Sequence, residues 1–321
     1  MALSRATIIV HLGEVVEHQP MQRGGIVKLI TRSLLVALLA SGVATTGAAA
    51  VVVSEYRFEE GLPNTGAASV LDSSGFGNDG VASGSPNFSA DVPFGKIPLT
   101  GTSNTLSLQF DNTKTASVTF NNSFIFDSPG DATLEFWLKV PDQVHSAIFW
   151  GRSDISDTNR FHIFLSGTGS GSPYDGLGIN LGMDYRAPDG SLHPLAGYGL
   201  PGDVPLLLSA NIWTHVGITR SSEIYSFFLN GTLINQTTDI LPNLPTTTGW
   251  QLAGRSHDFY GLIDEIRMTD AALSPSEFLN ANGGPSNLPE PSSIVIWGLL
   301  GIGTATLHRW RGRHKKTAIS N

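Results

Sequence analysis

No cysteine occurs anywhere in the 321 residues. That excludes disulfide staples, thiolate chemistry and cysteine–zinc clusters together, so a folded domain must be held by its core or by a bound ion. Histidine is sparse too: residues 51–288 hold His145, His162, His193, His215 and His257, none at zinc-ligand spacing. A Gly-x-Ser-x-Gly elbow is missing, because Gly169-Ser170-Gly171 lacks the glycine two positions before the serine. No stretch before residue 274 repeats with a helical 3.6-residue period. Cations are scarce as well, with 24 Asp and Glu against 10 Lys and Arg in residues 51–288, a net of −14 where the full chain carries −8. A domain this acidic repels phosphate backbones, which excludes nucleic acid as a partner.

What the chain does contain is punctuation. Its 36 glycines and 18 prolines exceed the ~12 % average share of these two types, a density of turn formers that suits many short strands. Strand patterns, alternating or continuously apolar, fall at residues 53–59, 132–140, 147–150, 160–165, 177–182, 213–220, 223–229 and 262–268. Asn230-Gly231 predicts a two-residue hairpin turn. A short helix is predicted over 274–280, with Ser274 as N-cap, Pro275 at its first position and Glu277 completing a capping box. The length between the two ends is ample for one all-β core.

Both ends carry other signatures. Arg23, Lys28 and Arg32 precede an apolar run at 33–44, and Ala48-Ala49-Ala50 supplies the small residues that signal peptidase requires. Residues 21–50 are expected to be an export signal cut after Ala50, with Met21 as the start and residues 1–20 as an extension outside that pattern. At the other end a 283–288 linker precedes Pro289-Glu290-Pro291, the uncharged run 292–307 and a basic tail to residue 316. As a helix the run spans about 24 Å at ~1.5 Å per residue, a little short for a hydrocarbon core of about 30 Å. Trp297 and Trp310 suit the interfaces, and the Arg/Lys cluster suits the cytoplasmic side. Pro289 and Pro291 hold Glu290 in an extended, protease-accessible turn. This tripartite end (residues 289–316) resembles the PEP-CTERM sorting signal of bacterial envelope proteins. The resemblance implies an exosortase-type processing protease as a partner and transient anchoring in the membrane through the C-terminal helix.

Three further segments carry a second resemblance. EYRFEEG (55–61) followed by DSSGFGNDG (72–80), then NIWTHVGITRSSEIYSFFLNGTLI (211–234), then GLIDEIRMTDAALSPSEF (261–278) are similar to the opening, the central hairpin and the closing strand and helix of a laminin-G-like, concanavalin A-type jelly-roll. The fold this implies is all-β, a two-sheet antiparallel sandwich over residues 51–282 with a short C-terminal helix. The same superfamily includes laminarinase-type glucanases, which use two carboxylates ~5 Å apart in an E-x-D-x-x-E pattern. The nearest match, Leu262-Ile263-Asp264-Glu265-Ile266-Arg267, lacks the leading acid, and adjacent Asp264 and Glu265 are expected on opposite faces of a strand. Glu59-Glu60 falls at a strand end and Asp154/Asp157 in a loop. The chain is therefore expected not to be an enzyme.

Relatives of this fold carry a structural Ca²⁺ between the first and last strands. That implies Asp264 and the backbone near Glu59 as metal ligands, the alternative for Asp264 being a cap of the following turn. The 72–80 segment lacks EF-hand spacing and reads as a tight turn closed by Asx-type hydrogen bonds. Arg267 and Glu265 share a strand face in this reading and are expected to pair, for about 0–1 kcal/mol if exposed.

Period-two arithmetic suggests a binding face. Leu134, Phe136, Leu138 and Val140 share one side of their strand, leaving Glu135, Trp137 and Lys139 on the other. In the same way Val216 and Ile218 leave His215 out; Tyr225 and Phe227 leave Phe228; Phe161, Ile163 and Leu165 leave His162 and Phe164; Ile179 and Leu181 leave Asn180. If these strands share one sheet, its open face collects Trp137, His162, Asn180, His215 and Phe228, aromatic planes beside polar groups as a sugar ring needs. The competing account buries Trp137 and Phe228 in a second small core under the Gly/Pro-rich 183–205 segment. Trp150 and Trp250 read as packing. The expected protein is exported to the cell envelope or extracellular matrix, adhesive or structural, non-catalytic and associated with exopolysaccharide. A dedicated carbohydrate-binding lectin module and a divergent glycoside hydrolase are the alternatives.

Overall fold

The computed structural model describes residues 50–281, apart from 112–115, 128, 142–145, 153–158, 168–176, 200–201, 239–247 and 254–258. The export signal, Pro289-Glu290-Pro291, the apolar run and the basic tail all lie outside the described residues, as does the side chain of Trp150. Among the described residues no helix is long and apolar enough to cross a membrane.

The chain folds as strands. In chain order they are β1 (Val52–Tyr56), β2 (Ser69–Val70), β3 (Gly80–Ser83), β4 (Asn87–Ser89), β5 (Ser107–Phe110) and β6 (Ser117–Phe120). There follow β7 (Ala132–Lys139), β8 (Ser146–Arg152), β9 (Arg160–Ser166), β10 (Ile179–Arg186), β11 (Leu192–Ala196) and β12 (Leu206–Leu208). The last are β13 (Thr214–Ser221), β14 (Ile224–Leu229), β15 (Thr232–Thr238), β16 (Gly249–Ala253) and β17 (Gly261–Thr269). Two antiparallel sheets result. The first runs β15-β14-β13-β7-β17-β5-β4 with β1 also on β17, and the second runs β11-β10-β9-β8-β16-β6-β3-β2 with β12 also on β10. This is the two-sheet jelly-roll sandwich that the resemblance implies.

The apolar sides of both sheets meet in one core. Leu134, Phe136, Leu138, Val216, Ile218, Tyr225 and Phe227 come from the first sheet; Phe161, Ile163, Leu165, Ile179 and Leu181 come from the second. Each such side chain contributes roughly 1.5–3 kcal/mol by leaving water. Trp250 stacks on Phe120 with centroids 3.8 Å apart and 12° between planes, so it packs as expected. Asn230 and Gly231 both take positive φ, 50° and 78°, which closes β14 onto β15 through the tight turn their sequence predicts.

Asp72 organises the 72–80 turn. Its carboxylate accepts from the backbone N–H groups of Glu55 (3.0 Å), Ser74 (2.9 Å) and Asn78 (2.9 Å). Its own N–H donates to Asp79 (2.8 Å). The turn is thus closed by side-chain-to-backbone bonds.

The predicted 274–280 helix is only a single 3-10 turn, Pro275–Glu277. Its start is as expected, since the Ser274 N–H (2.8 Å) and hydroxyl (2.7 Å) both donate to the Glu277 carboxylate. Phe278 then turns extended, at φ −70° and ψ 152°, because its ring and Leu279 are drawn onto the first sheet.

Candidate functional site

The five residues expected to line one open face are split between the two sheets. Trp137 (β7), His215 (β13) and Phe228 (β14) do share the outer face of the first sheet, but that face is covered, leaving them 2 %, 0 % and 8 % exposed. The cover is the 278–281 segment together with the loop before β5, not the 183–205 segment. Phe278 sets its ring edge against Phe228 (5.2 Å, 76°) and packs on His215 (5.7 Å). A Cβ on Gly217 would come within 3.0 Å of the Phe278 ring, so glycine there makes its seat. Leu279 and Ile97 close over Trp137.

A buried charge network fixes this cover. The Glu135 carboxylate accepts from Arg267 Nε (2.6 Å) and from the Leu279 backbone N–H (2.7 Å), and it meets His215 Nε2 at 2.9 Å. Arg267 also donates to the Glu277 carbonyl at 2.7 Å. The expected Arg267–Glu265 pair does not form. A bulge between Asp264 and Arg267 sets Glu265 at φ 47°, and its carboxylate turns to Arg57 Nε at 3.1 Å. The same bulge removes the expected opposition of Asp264 and Glu265. Asp264 lies in register with outward-facing Trp137, and Glu265 reaches Arg57 rather than the core between the sheets.

The two carboxylates at the expected calcium position, those of Glu59 and Asp264, both accept from protein donors. Glu59 accepts from the Thr105 N–H (2.6 Å), the Leu106 N–H (3.0 Å) and the Thr105 hydroxyl. Asp264 accepts from Asn104 Nδ2 (2.9 Å) and the Glu265 N–H (2.9 Å). Among the described residues no three His, Asp or Glu side chains converge as a metal cage. Ca²⁺ asks for six to eight oxygens, and these two carboxylates, each already accepting from protein N–H groups, supply only part of such a shell. Burial instead drives the Asp264 carboxyl well above its usual range and raises Glu265 to about 7, the latter partly offset by Arg57.

His162 and Asn180 lie on the outer face of the second sheet, as alternation along β9 and β10 requires. Asn180 is buried and acts as a bracket: Nδ2 donates to the Gly197 carbonyl (3.2 Å), and Oδ1 accepts from the Leu206 N–H (3.0 Å). It holds the 197–206 loop and faces no solvent. His162, by contrast, is part-exposed and stacks on Phe164, centroids 4.9 Å apart at 29°.

Two glycines shape this face. The Phe164 ring lies across Gly182, where a Cβ would sit 2.3 Å from Cζ. Gly197, at φ 78°, brings its loop so low that a Cβ would stand 2.7 Å from Gly182 Cα. That approach delivers Tyr198, whose ring meets Phe164 edge-on at 5.5 Å and 81° and whose hydroxyl donates to Asp184. Asp184 is buried and also holds Arg160 Nη1 (2.6 Å) and His162 Nδ1 (3.4 Å). Burial alone would raise its carboxyl, but His162, Arg160 and Tyr198 together hold it below the usual range. Phe164 was placed outward by alternation. Tyr198 and Gly197 sit in a loop without periodicity, and the only signal for them is the glycine clustering around 197–202.

The result is an aromatic step of His162, Phe164 and Tyr198, part-exposed and fixed from beneath by a satisfied ion pair. Such a surface offers ring planes for apolar contact and imidazole and phenol groups at their margins. Four carboxylates among the described residues are committed: Asp184 to Arg160, Glu135 to Arg267, Glu265 to Arg57 and Asp264 to Asn104. No two of them face each other across open space as glycoside hydrolysis requires.

The family model Laminin_G_3, described as the concanavalin A-like lectin/glucanases superfamily, matches residues 111–278. Among solved structures, the chain is similar to the botulinum neurotoxin serotype D binding domain at 14 % identity and TM-score 0.49, with 71 % of this chain and 50 % of that one covered. It is similar to the binding domain of Paraclostridial Mosquitocidal Protein 1 at 16 % identity and TM-score 0.49, covering 70 % and 50 %. Domain 4 of AbnA, a GH43 extracellular arabinanase from Geobacillus stearothermophilus solved with arabinotriose, matches at 19 % identity and TM-score 0.48, covering 71 % and 96 %. The chain spans about half the length of the two toxin domains. No curated protein matches it.

Proposed function

The chain belongs to the concanavalin A-like lectin/glucanases superfamily, and we propose that it is a non-catalytic glycan-binding domain carried on an exported, exosortase-sorted envelope or matrix protein. One observation carries the binding assignment. The half-buried His162–Phe164 stack meets Tyr198 on the outer face of the second sheet, over a buried Asp184 whose charge is already compensated. Aromatic planes that rigid backbone and buried hydrogen bonds hold in place lose little entropy when a sugar ring lies on them. Among the described outer-face carboxylates, Asp184, Glu135, Glu265 and Asp264 are each held by a protein partner, which favours binding over hydrolysis. Export and sorting rest on the 21–50 and 289–316 signatures, and exopolysaccharide is the ligand class available at that location.

Calorimetric titration of the full chain with exopolysaccharide fractions tests the binding assignment. Phe164→Ala is expected to weaken binding roughly tenfold, equivalent to about 1.4 kcal/mol. Val81→Ser, an exposed change on β3 far across the same sheet, is expected to leave binding unchanged. Equal affinities for wild type and Phe164→Ala would contradict the assignment.

A further inference from the structure

A second feature adjoins the aromatic step. β15 ends the first sheet and β11 ends the second, and where these edges meet they enclose a cleft of about 270 Å³. One wall is apolar, from Pro194, Leu195 and Ala196; the other is polar, from Asn235, Gln236, Thr237 and Thr238, with Gln236 Nε2 donating to Ser226 Oγ at 2.9 Å. Tyr198 also lines it, and its ring packs on Phe164. The cleft therefore adjoins the aromatic step through Tyr198.

The electrostatics of the cleft narrow the ligand. Among the described residues lining it, Asp203 is the single formally charged side chain. That carboxylate accepts from the N–H groups of Gly197 (3.3 Å), Tyr198 (2.7 Å) and Gly199 (2.8 Å), and from Asn235 Nδ2 (2.6 Å). Its charge serves to pin the loop to β15, and its lone pairs are filled. Among the described lining residues there is no Lys, Arg or His to meet an anion, and the domain's net charge of −14 adds long-range repulsion. Walls of opposite character, one apolar and one bearing amides and hydroxyls, match the two aspects of an uncharged sugar ring. The volume lies just under the ~300–1,000 Å³ of pockets for drug-sized ligands, room for a terminal ring rather than a chain.

We infer that this cleft is a second subsite of the glycan face, taking an uncharged sugar residue next to the one on His162 and Phe164, so that the ligand is a neutral oligosaccharide of at least two residues. The inference rests on the glycan-binding reading above. It is tested by calorimetry on the full chain with neutral gluco-, xylo- and arabino-oligosaccharides of one to four residues, with oligogalacturonate as the acidic comparison. Affinity is expected to rise about tenfold or more from one ring to two or three. It is expected to change less than about twofold between low and high salt, as a contact without charges should. Thr238→Trp, at an exposed position on the polar wall, fills the cleft and is expected to abolish the rise while leaving single-ring binding intact. Gln236→Ala, which keeps the fold if the tryptophan does not, is expected to reduce the rise.

Sugar binding whose length dependence survives both variants would overturn the cleft and leave the aromatic step standing. Preference for oligogalacturonate would overturn the neutral class. Displacement of neutral sugar by an uncharged peptide strand pairing along β15 would assign the cleft to peptide instead. No binding of any sugar by folded wild type would overturn both this inference and the reading beneath it.

Discussion

Replacing Glu135 by glutamine is expected to destabilise the domain by about 3–5 kcal/mol, the usual consequence of removing one partner from a buried ion pair. For a domain of this size each kcal/mol moves the melting temperature by roughly 2–4 °C, so a fall of about 6–20 °C should appear in a thermal scan. The reason lies in what Glu135 gathers. Its two oxygens receive Arg267, His215 and the Leu279 N–H, all beneath the 278–281 segment. Glutamine keeps the volume but loses the charge, and its NH₂ group would meet a donor where an acceptor stood. The Arg267 cation then keeps the Glu277 carbonyl as a hydrogen-bond acceptor and the Glu55 carboxyl on β1 as a charge neighbour, but loses the buried carboxylate that it was bonded to. A shift under about 1 kcal/mol, the level of an exposed pair, would mean that the segment is not seated as described.

The second large effect concerns pH. Asp264 and Glu265 both have carboxyl groups raised in the folded state, chiefly by burial. A raised acid favours the folded state while protonated and loses that contribution as pH climbs from the unfolded value to the folded one. For Glu265 the window runs from 4.5 to about 7, and at ~1.4 kcal/mol per unit it is worth on the order of 3 kcal/mol. Wild type is therefore expected to melt lower at pH 8 than at pH 5.

Asp264→Asn is expected to raise the melting temperature at pH 8 and change it little at pH 4. The amide replaces an acid that resists ionising, and its NH₂ can reach the buried Asn104 Oδ1, which has no partner. The same variant separates this account from a calcium site. Were Asp264 a ligand, Asp264→Asn would lower the melting temperature at pH 8, and EDTA would lower that of wild type.

Much of the fold is legible in alternation. Leu134, Phe136, Leu138, Val216, Ile218, Phe161 and Ile163 all enter the core from the side that period-two counting assigns them. Counting also sends Trp137, His162 and His215 outward, correctly. It cannot say which sheet a strand joins, and so it merged two outer faces into one. Nor does it register what covers a face. Phe278 and Leu279 read as the end of a helix, yet they cap residues 50 to 140 positions earlier in the chain. Glu265 shows a third limit: one positive-φ residue in β17 re-aims two carboxylates, which no propensity for Glu foretells. The aromatic step itself depends on Gly182 and Gly197 permitting close backbone approach, a tertiary fact with no local pattern.

The central claim is that the outer face of the first sheet is closed and the outer face of the second is where ligand binds. Hydrogen–deuterium exchange on the full chain, with and without saturating glycan, tests it directly. Amides of 133–138 and 214–220 should be protected from the start and unchanged by ligand, while those of 161–166, 180–186 and 196–199 slow when it binds. Ligand-induced protection confined to 133–138 and 214–220, with the 278–281 amides released, would contradict the account.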